Sequence, residues 1–348
     1  MSEPRGDGGR VEGIARAASF VVTLLGGLAS CASFEDPTIV LDLRVLGIET
    51  TPPEQVLDVE PDEPPTIDEL LLQLRPIRVR ALVAEPGRTG PLDWTMTACI
   101  LDDGSRCEPD GLSVTFASGT LMDPETSSRG NPCDGDVYEP GGTACGLLVP
   151  DNRLVQMLFQ ALEDDPAGGL GGIDLGISLR VRGVEVEPRT DAFAAKHVRF
   201  APRVPAERLA NKNPNIDQLL LGRAGFGIDI MKAHCSDPGP VNAVDAGETV
   251  TLFPVSRVGD KEEYVLPTLD GQAERFTEYL TYQWIATAGS FVDEITGGPP
   301  DVFGNVRLDG TEWKAPEVER DTLVTVWVLQ RDSRYGVRWR EACIKVQP

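Results

Sequence analysis

Through most of the chain, apolar and polar positions alternate with a period of two, the pattern of strands that bury one face. Ile77, Val79, Ala81 and Val83 interleave with Arg78, Arg80 and Leu82, and Ile177, Leu179 and Val181 with Ser178, Arg180 and Arg182. Ile39, Leu41, Leu43 and Val45 form a similar series near the start, and a run led by Leu92 and Trp94 continues into Cys99. Further on, Leu280, Tyr282, Trp284 and Ala286 face one way while Thr281, Gln283 and Ile285 face the other. Thr249 to Phe253 reads as a short strand. Leu323 to Leu329 is β-branched and aromatic and apolar on both faces, as a central sandwich strand is. The polar stretch Arg331-Asp332-Ser333-Arg334-Tyr335-Gly336 then turns the chain into a last strand, Val337 to Val346.

Two short segments switch to helical spacing. Asp151 is placed to cap a helix carrying Leu154, Met157, Leu158, Ala161 and Leu162 on one face. Thr66 with Glu69 forms a capping box ahead of Leu70, Leu71 and Leu74, and Pro76 stops that helix. The chain is therefore expected to be mainly β, with two β-sandwich domains and short helical insertions in the first. Roughly 318 residues beyond the first 30 exceed one small core. The seam falls at 202–214, which holds Pro202, Pro205 and Asn211-Lys212-Asn213-Pro214 without periodicity, as linkers do. The expected domains are 38–201, with inserted loops and helix, and 215–348.

Ahead of these lies Ala17 to Leu28, an uncharged apolar stretch that suits a signal-peptide core and falls short of the ~20 residues that span a bilayer. It runs into Leu28-Ala29-Ser30-Cys31, which resembles a bacterial lipobox: a branched apolar residue, two small ones, then cysteine. The resemblance implies that a diacylglyceryl group is added to the Cys31 thiol and that the signal peptide 1–30 is cut away. Residues 31–37 would be a lipidated tether. Acyl chains contribute about 0.8 kcal/mol per buried methylene, so two or three of them anchor a protein almost irreversibly. Before the apolar core, Arg5, Arg10 and Arg16 are cancelled by Glu3, Asp7 and Glu12; initiation nearer Val11 would leave Arg16 dominant. Position 32 is Ala, not the Asp that holds enterobacterial lipoproteins at the inner membrane, so the outer membrane is the expected location, facing the periplasm or the surface. With so short a tether, the first domain is expected near the bilayer and the second outward.

A second resemblance concerns the body. Tyr282-Gln283-Trp284, Ala288-Gly289-Ser290-Phe291, Trp313-Lys314-Ala315-Pro316, Thr325-Val326-Trp327-Val328 and Ile344-Lys345-Val346 resemble an immunoglobulin-like or PKD-type β-sandwich of bacterial surface proteins. In such domains the strand tryptophan, here Trp284, fills the space between the sheets, and the Trp-x-Ala-Pro stretch leads into the penultimate strand. Ala286-Thr287-Ala288-Gly289 stands where PKD domains often carry Gly-Asp-Gly. Residues 38–86 resemble the first strands of such a domain through Val45-Leu46-Gly47-Ile48, Pro52-Pro53-Glu54 and Val79 to Val83. Together with the lipobox, the whole is similar to a lipoprotein of a Gram-negative bacterium.

Composition narrows the partners. The formal net charge is −23, and residues 1–30 carry equal numbers of each sign, so the balance survives their loss. Nucleic acid is not expected as a partner, because binding it wants Lys/Arg clusters. Setting Cys31 aside leaves Cys99, Cys107, Cys133, Cys145, Cys235 and Cys343, an even number that reads as three disulfides in an exported protein. Six cysteines allow 15 pairings. Proximity favours Cys99–Cys107 and Cys133–Cys145, leaving Cys235 to Cys343 across the second domain.

No catalytic constellation is legible. The only histidines are His197, on an expected edge strand, and His234, beside Cys235; no Cys-x-x-Cys pair points to zinc. Paired carboxylates at Asp102-Asp103, Glu163-Asp164-Asp165 and Glu262-Glu263 read as solvated turns in so acidic a chain. No cofactor is expected; calcium is the one candidate metal, at Asp102-Asp103-Gly104 and Asp134-Gly135-Asp136 and, more weakly, at Asp301, although none fits the Asp-x-Asp-x-Asp-Gly loop. Gly-rich stretches at 141–142 and 168–172 lack the Lys-Ser/Thr of a phosphate loop. Trp94, Trp284 and Trp327 are expected on buried strand faces, which leaves Trp313 and Trp339 as candidate glycan platforms. The expected function is a non-enzymatic, lipid-anchored binding or structural module of the cell envelope, with an envelope protein or a glycan as partner. The alternative is an accessory lipoprotein of an envelope secretion or assembly complex that docks through residues 100–175; a hydrolase of envelope polymers ranks third.

Overall fold

The computed structural model describes residues 36–59, 65–87, 90–100, Cys107, 112–121, 143–183, 191–223, 226–230, Cys235, 241–268 and 272–348. The first half contains β1 (Arg44–Thr51), β2 (Glu54–Leu57), α1 (Ile67–Gln73), β3 (Ile77–Ala84), β4 (Leu92–Ile100), β5 (Ser113–Leu121), β6 (Thr143–Leu148), α2 (Asn152–Asp164), β7 (Ile173–Gly183) and β8 (Asp191–Pro202). Its sheets run β1-β3-β6 and β2-β8-β7-β4-β5. The second half contains β9 (Ile216–Arg223), β10 (Phe226–Asp229), β11 (Asn242–Asp245), β12 (Thr249–Ser256), β13 (Glu263–Pro267), β14 (Ala273–Thr277), β15 (Thr281–Ala286), β16 (Ser290–Phe291), β17 (Ile295–Gly297), β18 (Thr311–Lys314), β19 (Thr322–Arg331) and β20 (Val337–Gln347). Here the sheets run β10-β9-β12-β18-β16 and β11-β20-β19-β15-β17, with β13-β14 as a separate hairpin.

The two halves repeat one wiring. Strands β1, β3 and β6 stand in the order that β9, β12 and β18 repeat, and β2-β8-β7-β4-β5 is repeated by β11-β20-β19-β15-β17. In each half a short strand runs parallel to the last long one, β2 along β8 and β11 along β20, while the other pairings are antiparallel. The fold is mainly β, built of sandwiches. In the second, Trp284 on β15 lies fully buried between the sheets, its Nε1 donating to Thr296 Oγ1 at 2.9 Å, with the Phe291 ring centroid 6.3 Å away. Trp313, also fully buried, comes from the opposite sheet. Gly289 is needed beside it: its φ is +92°, and a Cβ there would run into the Trp313 ring and the Lys314 carbonyl.

Local chemistry sets both helices. Asp151 caps α2 by accepting the Leu154 N–H at 2.9 Å, and the buried face is Leu154, Val155, Met157 and Leu158. At α1 the Thr66–Glu69 capping box is complete and the helix stops before Pro76. The cysteine pairs Cys99–Cys107 and Cys235–Cys343 are disulfides. Cys145, on β6, is disulfide-bonded too; Cys133, its expected partner, lies outside the described residues.

Two expectations need correction. The alternation at Ile39, Leu41, Leu43 and Val45 is not a strand: β1 begins at Arg44, and a bulge at Leu46 shifts its register against β3. The residues buried here are Val40, Leu43 and Leu46, because this segment serves two cores in turn, Leu43 the first sandwich and Val40 and Leu46 a seam between the halves. Nor does the chain enter at the first sandwich: Ile39 bridges Ala286 of β15, with Val40 N–H donating to Ala286 O and Ala286 N–H to Thr38 O, both at 2.9 Å. The residues just after the expected tether thus pair with the second sandwich before β1 joins the first.

The seam explains strands that read as apolar or charged on both faces. Ile77, Val79, Ala81 and Val83 fill the first core, while Leu82 and Ala84 on β3 meet Ile285, Trp327, Leu329, Val337 and Trp339 of the second half. Thr38–Pro348 forms one compact body.

Candidate functional site

The seam continues into charge. Residues 202–214 run between the two sets of strands, and two of their polar side chains, Arg208 and Asn211, are almost fully enclosed. Each is held by groups far away in sequence. Arg208 Nη2 donates to Glu54 Oε1 and to the Gly171 carbonyl, both at 3.2 Å, while Glu54 Oε2 accepts the Asn211 N–H at 2.9 Å and Arg334 Nη1 at 3.3 Å. Glu54 itself lies at the start of β2, where a short strand against β8 fixes it.

Arg334 comes from the β19–β20 turn. Its Nε donates to Glu278 at 2.7 Å, its Nη2 reaches Glu262 and Asn211 at 3.2 Å each, and its guanidinium lies 4.5 Å from the centre of the Tyr264 ring. Asp332 shapes the turn by accepting the N–H groups of Arg334 and Gly336 at 2.7 Å, and Asn211 Nδ2 at 3.0 Å. A Cβ at Gly336 would overlap the Asp332 carboxylate, so this position needs glycine. Burial pushes the Asp332 carboxyl above its usual range, against the hydrogen bonds that lower it.

The same turn projects Tyr335, at φ +74°, onto the first sandwich. Its hydroxyl donates to Asp174 at 3.2 Å, Arg199 lies over its ring at 4.9 Å while forking onto Asp174, and Lys196 Nζ donates to its carbonyl. His197 stacks on Tyr335 at 5.6 Å, with Nδ1 4.0 Å from Asp174; it sits on β8 just before the stretch that β2 covers. Burial pulls the Lys196 ammonium from 10.5 down to about 8, against Asp332. Between those values the unfolded chain binds the proton and the folded protein does not, so stability rises with pH there. In urea unfolding, the native protein should gain about 3 kcal/mol relative to Lys196→Met as pH goes from 7.5 to 10.5. Parallel pH profiles for the two proteins would refute this.

A second ionic cluster lies alongside. Buried Glu49 accepts Arg80 Nη2 at 2.6 Å and Arg338 Nη1 at 2.9 and 3.1 Å, and the Arg80 guanidinium lies 5.4 Å from the centre of the Trp339 ring. Outside Glu49 the two halves leave a cleft of about 320 Å³. It is lined by Glu49, Thr51, Pro52, Pro53 and Arg78 of the first half, Arg257 and Arg338 of the second, and 211–215 between them. No serine, cysteine or histidine lines it. What it offers chemically is fixed cations and amides around a hollow.

The other expected site residues fall as follows. Leu28, Ala29, Ser30 and Cys31 lie outside the described residues, as do His234 and the acidic turns Asp102-Asp103-Gly104 and Asp134-Gly135-Asp136. Asp301 is described, and its carboxylate is taken up in bracing its own loop, accepting the Phe303 and Asn305 N–H groups and Asn305 Nδ2 at 2.8–2.9 Å. That loop bares Val302 and Phe303, the latter 87% exposed. Among the described residues no three His, Cys, Asp or Glu side chains cluster as metal ligands. Trp313 and Trp339 are buried like the other three tryptophans, so neither offers a ring to a glycan. The cleft and its charges were not legible beforehand; the one available signal was a cationic pair, Arg338 and Arg340, flanking Trp339 on the last strand.

No protein-family model and no curated protein matches the sequence. Among solved structures, Escherichia coli alpha-2-macroglobulin activated by porcine elastase aligns at 10% identity over 90% of this chain and 22% of that one, with a TM-score of 0.21. A DUF4785 family protein from Legionella pneumophila aligns at 8% identity over 86% of this chain and 55% of that one, with a TM-score of 0.23. Dimeric latent PorU from Porphyromonas gingivalis aligns at 9% identity over 88% and 24%, with a TM-score of 0.19. The chain thus spans about a fifth of the alpha-2-macroglobulin and about half of the DUF4785 protein, and overlaps at these scores transfer neither a site nor an activity.

Proposed function

We propose that this chain is a lipid-anchored protein of the cell envelope, held at the outer membrane through Cys31, that acts as a non-catalytic binding or structural module. One observation carries the reading of the body: its two sandwiches are joined by a buried apolar seam and by the Glu54–Arg208–Arg334 network, with a cleft alongside. A scaffold of this kind presents a surface of fixed shape, and preorganisation lowers the ordering cost of binding. Disulfides such as Cys235–Cys343 support it in an oxidising compartment. Among the described residues no helix is long and apolar enough to cross a membrane.

Metabolic labelling with radioactive palmitate tests the anchor. The native protein should take up label and sediment with membranes, while Cys31→Ala should take up none and keep residues 1–30. A native polypeptide intact from its first methionine and free of acyl groups would refute the proposal.

A further inference from the structure

We propose that the cleft between the two sandwiches binds a phosphate-bearing small anion. This adds a ligand class to the binding-module reading and rests on it only for the rigidity of the cleft. In a chain of net charge −23, the lining carries four cations, Arg78, Lys212, Arg257 and Arg338, against one carboxylate, Glu49. Glu49 is shared by two guanidiniums, Arg80 and Arg338, so its one negative charge is divided between them. Arg340 adds a further cation from behind, its Nη2 donating to Asn215 Oδ1 at 2.6 Å. Burial first, then Arg338 and to a lesser degree Arg80, pull the Arg340 guanidinium down to about 10, against Glu49 and Asp217.

The rim can open to a ligand at low cost. Lys212, its side chain 82% exposed, meets Glu262 at 3.1 Å, and Arg257, 61% exposed, meets Asp217 at 3.2 Å. Exposed pairs of this kind contribute little to stability, so an incoming anion displaces their carboxylates readily. Guanidinium forks match the oxygens of a tetrahedral phosphate. The ligand must be small, both because the hollow is about 320 Å³ and because the acidic exterior repels an extended polyanion.

Calorimetry on the full-length protein, titrated with inorganic phosphate at an ionic strength fixed by chloride, tests this. The expected result is saturable binding tighter than about 1 mM, weakened at least about tenfold in Lys212→Ala/Arg257→Ala. Both rim side chains are exposed, so the variant should melt with the native protein. Competition by phosphatidylglycerol vesicles, and none by phosphatidylcholine, would assign the phosphate to a lipid headgroup; binding without competition would assign it to a soluble ester. Absence of saturable binding, or equal binding by the variant, would overturn the proposal. Were phosphate binding to fail while Cys31 takes up palmitate, the anchored-module reading would stand and this inference alone would fall.

Discussion

Glu54→Ala is expected to destabilise the protein by about 3–5 kcal/mol, the cost of stripping a buried ionic network of its central carboxylate. Glu54 is buried and accepts from Arg208, Arg334 and the Asn211 main chain at once. Arg208 would keep only main-chain carbonyl partners, while Arg334 would retain Glu278 and Glu262. The loss should therefore fall chiefly on Arg208, whose charge would stay enclosed without a counterion. Salt should not restore the loss, since screening acts weakly on enclosed charges. Glu54→Gln, which keeps an acceptor for the Asn211 N–H, should cost less than alanine. Urea unfolding at neutral pH measures both; a loss under about 1 kcal/mol for the alanine variant would show that the network contributes little to holding the halves together.

Trp284→Ala should cost about 4–5 kcal/mol, at the upper end for a large aromatic removed from a core. The side chain is fully buried between two sheets whose main chains are tied into ladders, Trp284 itself pairing with Val328, so the space cannot collapse. Thr296 Oγ1 would also lose a donor, keeping only its own bond to the Asp309 carbonyl at 2.6 Å. Trp284→Phe should recover part of the loss, because it restores ring volume but not the N–H. Thermal unfolding of the pair provides the measurement, and equal melting temperatures for Phe and Ala would show that the cavity is not the cause.

What could be read from the sequence was whatever is decided locally. A capping box needs only Thr66 and Glu69, and a strand with one buried face shows itself in Ile177, Leu179 and Val181. The seam was hidden because its members are separated by long stretches of chain. Glu49 and Arg338 meet across 289 positions, and Glu54 and Arg334 across 280. On their own, Arg208 and Asn211 look like the polar residues of a solvated connector; only the folded neighbours give them partners. The alternation from Ile39 to Val45 misled for a related reason, since consecutive residues there answer to different cores. At Arg80 and Leu82 a face that reads as mixed is covered by Trp339 and its neighbours, which no spacing within β3 could reveal.

The bridge between Ile39 and Ala286 has a mechanical consequence. A pull passing through Thr38 is borne by two main-chain bonds to one residue of β15, and from there by the ladder that β15 makes with β19. The first sandwich is spared until that clasp gives way. Strain arriving along this path therefore enters through the half of the molecule that Cys235–Cys343 cross-links.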